Sequence, residues 1–415
     1  MVYVIIAVGL LSIFNFLRIF ISLTVANLSK AYKIKKRAKA CTVSSLKQYG
    51  ISVVIPAYNE EKDITKCVES VYKNDFFKKE VIVIDDGSTD NTAYLLEELK
   101  KKYPSLIIVH QENSGKATAL NTGIIEYATF PLVMVLDGDS FLDKSAIKNM
   151  VRHFEDDDRL VAMATNVRIS DARNIVEYAQ QVEYQIGYKY KEAEPTFNLE
   201  YIIGGIGSTF RREALLLVKG YDLDSVTEDI ALSMKIIKAF GNKVVHISYA
   251  DDVICYTPPA HNFKDLKKQR FRWKYGRFKA LVKYKDLFFS TNFKKYSFVL
   301  TWWKLPKIIF FEEFMMLIDP LMLIFMGYLL VSYLDVKTLL GIVATFFLVA
   351  VIARLSDQQY SLKKSMKVVL IAPLTIFLLY IINFADYYSL IKSILKYKDI
   401  LTNSNPSSKW NHIQR

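Results

Sequence analysis

Four short runs of β-branched and other apolar residues, at 51–55, 81–84, 106–109 and 132–136, alternate with stretches of helical spacing at 61–72, 92–102, 117–128 and 144–154. Runs that are apolar throughout predict strands buried on both faces. A helix between successive strands predicts parallel pairing through right-handed crossovers. The expected class is therefore α/β with a mainly parallel sheet, and in such sheets ligands bind beyond the carboxyl ends of the strands. Asp85 and Asp86 close the second run, and Asp137 and Asp139 follow the fourth. Carboxylates thus gather at the predicted ligand edge.

This soluble pattern fills only residues 51–292 of 415. Residues 2–26 are almost wholly apolar, with Asn15 and Arg18 as the strong interruptions. That run is long enough to cross a bilayer, and it is too long for a signal peptide and lacks the cleavage site of one. Lys30, Lys33, Lys35, Lys36, Arg37, Lys39 and Lys47 follow with no acidic residue among them, the mark of a cytosolic flank. The expected division is an N-terminal transmembrane helix at 1–27, a basic juxtamembrane segment at 28–50 and the α/β domain at 51–292. An interfacial segment at 293–307, a C-terminal transmembrane bundle at 308–391 and a tail at 392–415 complete it. Trp302, Trp303, Lys304 and Lys307 have the composition of a headgroup belt, and Pro306 is expected to break the helix before the first C-terminal span. The sequence therefore predicts a multi-pass cell-membrane protein with its α/β domain in the cytosol.

Spans at about 308–334, 338–353 and 368–384 would leave the tail, with Lys392, Lys396, Lys398 and Arg415, on the outer side. That opposes the positive-inside bias. Either the short middle segment is re-entrant, or the region around Tyr296 holds more membrane, or the bias fails here.

Composition narrows the partners. Hydrophobic residues at 52% beside 23% charged residues fit neither a pure membrane bundle nor a purely soluble domain. Much of the net charge of +13 flanks apolar segments, so a lipid bilayer is the expected partner and nucleic acid is not. Cys41, Cys67 and Cys255 form no close pair, and the five histidines are scattered. Neither disulfides nor a His/Cys metal site is expected.

Each acidic motif has two readings. Asp85-Asp86-Gly87-Ser88 reads as a helix cap or as an acceptor set for a pyrimidine base. Asp137-Gly138-Asp139 reads as a polar turn or as oxygen ligands for Mg2+ or Mn2+, shared with a diphosphate. Thr227-Glu228-Asp229 reads as a helix cap or as a source of a general base. Ser114-Gly115-Lys116 is not a Walker loop, since His110 and Ala117 stand where a glycine and a hydroxyl are required, but it opens a helix whose N-terminus favours a phosphate. In Gln269-Arg270-Phe271-Arg272-Trp273, Gln269, Arg272 and Trp273 share a helix face at i, i+3 and i+4. That face suits a sugar phosphate as well as it suits a plain basic helix.

Four such motifs in this order, beginning at Val54-Ile55-Pro56-Ala57-Tyr58-Asn59-Glu60, resemble the membrane-bound processive family-2 inverting glycosyltransferases of the cellulose, hyaluronan and poly-N-acetylglucosamine synthase group. The resemblance runs through Trp273 into the C-terminal segments. In architecture and length the chain is most similar to the bacterial poly-β-1,6-N-acetylglucosamine synthases. The resemblance implies a GT-A, Rossmann-like catalytic domain, a UDP-sugar donor (best guess UDP-N-acetylglucosamine), a β-linked polysaccharide acceptor that the enzyme extends and exports, and Mg2+ or Mn2+. Pro56, Tyr58, Glu60 and Asp86 would contact the uridine, and Lys116 would lie near the nucleotide. Asp137 and Asp139 would meet the donor and its metal, with Asp139 the principal ligand. Asp229, beside Glu228, would be the base that activates the acceptor hydroxyl. Arg272 would steady the diphosphate, Gln269 would bind the UDP-sugar and Trp273 would stack on the acceptor sugar. Gly204 and Gly205 fall in the acceptor-contacting turn, where Ile202-Ile203 replaces the family's usual aromatic, Cys or Ser. Synthases of this group often work with a small membrane subunit, so an accessory subunit is an expected partner.

Two other functions fit part of the pattern: a transferase that adds one sugar to a lipid or oligosaccharide, and a sugar-nucleotide-binding membrane sensor without turnover. Glu312, Glu313 and Asp319 fall in the first C-terminal apolar segment: either they line a polar path for the growing chain, or Glu312 and Glu313 sit at the interface and Asp319 alone is intramembrane.

Overall fold

The computed structural model of the chain describes residues 49–333 and 374–402, with isolated positions at 21, 24 and between 336 and 348. Apart from residues 21, 24, 49 and 50, the segments expected at 1–27 and 28–50 lie outside the described residues, as do most of 338–353 and the tail beyond 402.

Eight strands form one sheet: β1 (Ile51–Ala57), β2 (Lys79–Asp85), β3 (Ile107–His110), β4 (Leu132–Val135), β5 (Phe141–Leu142), β6 (Leu160–Ile169), β7 (Ser208–Arg211) and β8 (His246–Thr257). Their order is β3-β2-β1-β4-β7-β6-β8-β5. The four strands expected from sequence are present and mutually parallel, Val53 pairing with Val81 on one side and with Met134 on the other. The sheet is mixed beyond them. β7 runs against both β4 and β6, and β5 runs against β8.

Helices α1 (Ile64–Tyr72), α2 (Thr92–Lys102), α3 (Lys116–Thr122) and α4 (Ala146–Asp156) occupy the four expected crossovers. Alternate residues of each central strand enter opposite cores. Ile51, Val53, Ile55, Val81, Val83, Leu132 and Met134 join one, while Val54, Ile82, Ile84, Val133 and Val135 join the other. Such two-sided burial is why these runs are apolar throughout, each fully buried Val or Ile contributing about 1.5–3 kcal/mol. After β1 the chain winds to β2 and β3 on one side and then returns to β4 on the other. That reversal opens a crevice beyond the ends of β1 and β4.

Four further helices follow in the chain: α5 (Ile175–Lys191), α6 (Glu228–Phe240), the basic helix α7 (Phe263–Lys283) and α8 (Phe314–Tyr333). Pro306 does not end the helical path ahead of α8. The path runs from Val299 to Tyr333, with wide π turns at Val299–Lys304 and Ile308–Glu313 around Leu305–Lys307. Pro306 sits in the first turn of that short α segment, where its missing N–H is tolerated, and the wide turns make room for its ring. Among the described residues no helix is long and apolar enough to cross a membrane.

Charge ties these helices to the domain. Glu313, 6% exposed, takes Lys274 Nζ at 2.8 Å and also pairs with Arg277. Arg270 forks onto Glu183 of α5 and approaches Asp386 at 3.8 Å. A last helix, α9 (Thr375–Leu395), buries Leu378, Ile382 and Ala385 against Ala179, Ala260 and Leu266.

Candidate active site

Beyond the ends of β1 and β2, two loops are laced together. Asn59, in the left-handed region at φ 57°, donates its N–H to Ser88 Oγ at 3.0 Å, and its Oδ1 accepts from Thr89 N at 2.8 Å. Glu60 N donates to Thr92 Oγ1 at 2.8 Å. Tyr58 and Glu60 are thereby held half-buried above the fully buried Pro56. Asp86, 0% exposed, accepts from Gln111 Nε2 at 2.7 Å and from the N–H groups of Ser114 and Gly115 at 2.9 and 2.8 Å. Its carboxylate therefore shapes the loop that delivers Lys116 to the first turn of α3.

Lys116 is the centre of the site. Its Nζ lies 2.7 Å from Asp137 Oδ1 at the end of β4 and 3.2 Å from Glu228 Oε1 at the start of α6. A Cβ on Gly205 would stand 3.4 Å from Lys116 Nζ, 3.7 Å from Asp137 Oδ1 and 3.9 Å from Asp229 Oδ2. Glycine there keeps the turn close to all three groups. Burial works against the ammonium, but Asp137 and Glu228 outweigh it and hold Lys116 well above its usual pKa. Burial also opposes ionisation of Glu228, and the charges of Lys116 and Arg272 prevail to lower it. Asp229 moves the other way. Burial, then the neighbouring Glu228, pushes it up to about 6.

The helix α7 crosses this cluster closely. A Cβ on Gly276 would lie 2.4 Å from Thr227 Cγ2, so the missing side chain is what lets the helix carrying Gln269, Arg272 and Trp273 rest on the Thr227-Glu228-Asp229 turn. Arg272 is near enough to act on Glu228. Gln269 is only 4% exposed, and its Oε1 has no hydrogen-bond partner among the described residues. Trp273 is half-buried with the Arg270 guanidinium 4.9 Å from its ring centre.

Lys116, Asp137, Gly205, Glu228, Asp229 and Arg272 therefore converge. Tyr58, Glu60 and Asp86 form the adjoining bank, and Gly204 lies one residue from Gly205 with open space around it. Burial and then the charges of Asp139, Glu60, Asp137 and Asp63 push the Cys67 thiol well up, which places strong negative potential at the end of β4. Among the described residues no three or more His, Cys, Asp or Glu side chains form a metal cage. Asp137 and Asp139 offer oxygen donors only, and this set fits a hard Mg2+ or Mn2+ that completes its shell with phosphate oxygens and water.

Sequence reasoning missed three contributors. Ser233, fully buried in α6, accepts from Ile203 N at 2.8 Å and donates to Asp229 O at 2.7 Å. Tyr221, 3% exposed, lies within the field of Glu228, Asp229 and Asp137. Gly276 carried a signal, a glycine inside a 21-residue helix three positions after Trp273. Ser233 and Tyr221 carried none.

Residues 52–217 match the glycosyl transferase family 2 model. The chain is 33% identical over 250 residues to the poly-beta-1,6-N-acetyl-D-glucosamine synthase of Staphylococcus aureus (strain COL), the match covering 60% of this chain and 58% of that one. It is 34% identical over 250 residues to the synthase of the same name from Staphylococcus epidermidis, covering 59% of it. The chain thus spans under two-thirds of the length of these curated relatives. In fold it is similar to the mannosyltransferase PcManGT of Pyrobaculum calidifontis, solved with GDP-Man and Mn2+, with a TM-score of 0.50, 20% identity and coverage of 94% of this chain and 99% of the other.

Proposed function

We propose that this chain, whose residues 52–217 are a family 2 glycosyltransferase domain, is a membrane-bound inverting enzyme that extends a β-linked polysaccharide from a UDP-sugar and exports it. The observation that carries the reading is the meeting of Asp137 and Glu228 on one Lys116 ammonium, with Gly205 and Asp229 beside it. The carboxylate assigned to the donor side and the turn that carries the assigned base thus meet on one cation.

UDP-N-acetylglucosamine is the proposed donor, supported by the name of the Staphylococcus relatives. The uridine lies against Pro56, Tyr58 and Glu60, beside the loop that the buried Asp86 carboxylate shapes, and Lys116 and Arg272 face the diphosphate. Gln269, whose buried Oε1 lacks a partner among the described residues, supplies an acceptor to the bound donor. Trp273 and the Gly204-Gly205 turn hold the acceptor sugar. Asp229 removes the proton from the acceptor hydroxyl. The oxygen then attacks the anomeric carbon from the face opposite the UDP, so one displacement inverts the centre without a covalent enzyme intermediate. A base whose pKa is about 6 is ionised at neutral pH yet basic enough to take the proton. Mg2+ or Mn2+ on Asp139 and Asp137 would supply Lewis-acid stabilisation to the departing diphosphate.

The membrane assignment rests on the apolar run at 2–26 with its basic flank. On α8 the apolar residues Phe314, Leu321, Ile324, Tyr328 and Val331 are all exposed, a stripe that suits lipid. The test is incorporation of labelled sugar by the full chain in lipid nanodiscs, with UDP-N-acetylglucosamine, UDP-glucose and UDP-glucuronate offered singly. Long polymer from UDP-N-acetylglucosamine alone is the expected result. Single additions would make the enzyme a non-processive transferase, and UDP binding without transfer would overturn the enzymatic reading.

A further inference from the structure

Both main-chain groups of Ile202, which opens the turn carrying Gly204 and Gly205, are taken by charged side chains. Its N–H donates to Glu200 Oε1 at 3.2 Å, and its carbonyl accepts from Lys191 Nζ, at the end of α5, at 3.0 Å. The same ammonium stands 3.2 Å from Glu200 Oε1. Carboxylate, ammonium and one peptide unit thus close a ring. Lys191 Nζ also lies 5.9 Å from the ring centres of Tyr188 and Tyr249, which hold the cation in place. From the other side, Ile203 N donates to Ser233 Oγ of α6 at 2.8 Å, and Gly204 O accepts from Ser208 Oγ. The turn gripped in this way is the one that brings Gly205 close to Lys116, Asp137 and Asp229.

Fold stability is a poor reason for such a pair. Glu200 is 2% exposed, and its second oxygen, Oε2, has no hydrogen-bond partner among the described residues. Desolvating both charges cancels most of their attraction, and an unfilled buried acceptor adds to the cost. Burial, the largest influence, pushes Glu200 up to about 7 against the pull of Lys191. Glu194, in the short turn Glu194–Phe197, adds to the rise, and Lys304, which pairs with Glu194, opposes it. Tyr188 of α5 also lies within its field. A proton from solvent that adds to Oε2 neutralises the carboxylate. The pull on Lys191 then ends, and Ile202 N is left with an uncharged acceptor.

We propose that Glu200 and Lys191 are positioning residues for the acceptor: their ion pair sets the pose of the 202–205 turn, and its loss loosens the grip on the acceptor sugar while leaving the donor side intact. Neither side chain touches the reacting atoms. Both act through the main chain of Ile202. The binding-competent turn belongs to the ionised form of Glu200, so acceptor affinity is full above about 7 and declines as pH falls below it.

This inference rests on the proposed function, which gives that turn to the acceptor, and the two fail separately. Absence of sugar transfer in the incorporation test overturns the proposed function itself. For the positioning pair, the full chain in lipid nanodiscs is titrated calorimetrically with UDP and with a short β-linked N-acetylglucosamine oligosaccharide. In the wild type, oligosaccharide binding should weaken about 2- to 10-fold as pH falls through about 7, with UDP binding unchanged. Glu200→Gln keeps the shape and fixes the neutral state, so it should bind the oligosaccharide at the weaker level on both sides of that pH. Lys191→Met should match it. Equal weakening of UDP and oligosaccharide in the two variants would make the pair a general support of the fold and overturn the proposal. Oligosaccharide affinity that is untouched in both variants, or that ignores pH in the wild type, would also overturn it. A wild type that transfers sugar and binds UDP but not the oligosaccharide would leave the proposed function standing and this inference overturned.

Discussion

Asp86 and Asp229 are both aspartates at the mouth of one cleft, and their surroundings differ. Asp86 is sealed from solvent and receives two backbone N–H groups and the Gln111 amide. Asp229 receives one backbone N–H, from Ile230 at 2.8 Å, and faces Glu228. A carboxylate filled with neutral donors is scaffold, because its charge is already spoken for. One that is under-provided with donors and crowded by a like charge holds a proton more tightly, and that makes it useful to a reaction.

Replacing Asp229 by Asn breaks this contrast most severely. Sugar transfer should fall by about 10²- to 10⁴-fold with UDP affinity retained, measured by product formation and by calorimetric titration. The wild-type rate should fall as pH drops through about 6, since only the ionised carboxylate accepts the proton. Stability has the opposite sign. A carboxyl whose folded pKa is raised binds its proton more tightly when folded, so its contribution improves as pH falls from about 6 toward the ordinary aspartate value. At neutral pH its ionisation costs stability, and D229N should unfold later, by about 1–2 kcal/mol after discounting for its partial exposure.

Next in size is Lys116→Met. Asp137 and Glu228 lose the cation they share, so stability should drop by about 2–3 kcal/mol in denaturant titration. The pH midpoint of transfer should move to the alkaline side, because Lys116 opposes the rise of Asp229. Unchanged pH dependence would detach Lys116 from the base.

Gly276→Val should cost about 1–3 kcal/mol and lower kcat more than it raises the donor KM, because it pushes α7 off Thr227 and displaces Arg272 and Trp273 together. The smallest effect belongs to the scaffold carboxylate. Asp86→Asn should cost about 1–2 kcal/mol, through mismatched donors at Ser114 and Gly115. It should weaken UDP binding while leaving the pH midpoint of transfer in place.

The same contrast separates what the sequence disclosed from what it withheld. Strands β1 to β4 and their crossover helices were legible because burial on both faces writes an unbroken apolar run. The strand β7 was not. Its residues Ser208–Arg211 include Thr209 and Arg211, both buried, with the guanidinium donating to the carbonyls of Leu160, Phe154 and Asp157. A polar strand satisfied by distant carbonyls has no local signature. β8 was hidden for a related reason, since Asp251 and Asp252 interrupt it where its register with β6 shifts between Thr165 and Asn166. Among site residues, the charged ones announced themselves by clustering at strand and helix ends. The role of Asp86 in shaping the Lys116 loop could not be read, because the partners it takes in that loop, at Ser114 and Gly115, are main-chain N–H groups, identical in every residue but proline.

The hydroxyl of Ser233 has a consequence of its own. By accepting from Ile203 and donating to the carbonyl of Asp229, it gears the turn before Gly204 to the first turn of α6. In the proposed reaction, the turn that would hold the acceptor and the carboxylate that would deprotonate it are therefore joined through one hydroxyl. On that proposal, a sugar seated out of register would shift its own base away from the hydroxyl to be activated, and misplacement and inactivity would be the same event.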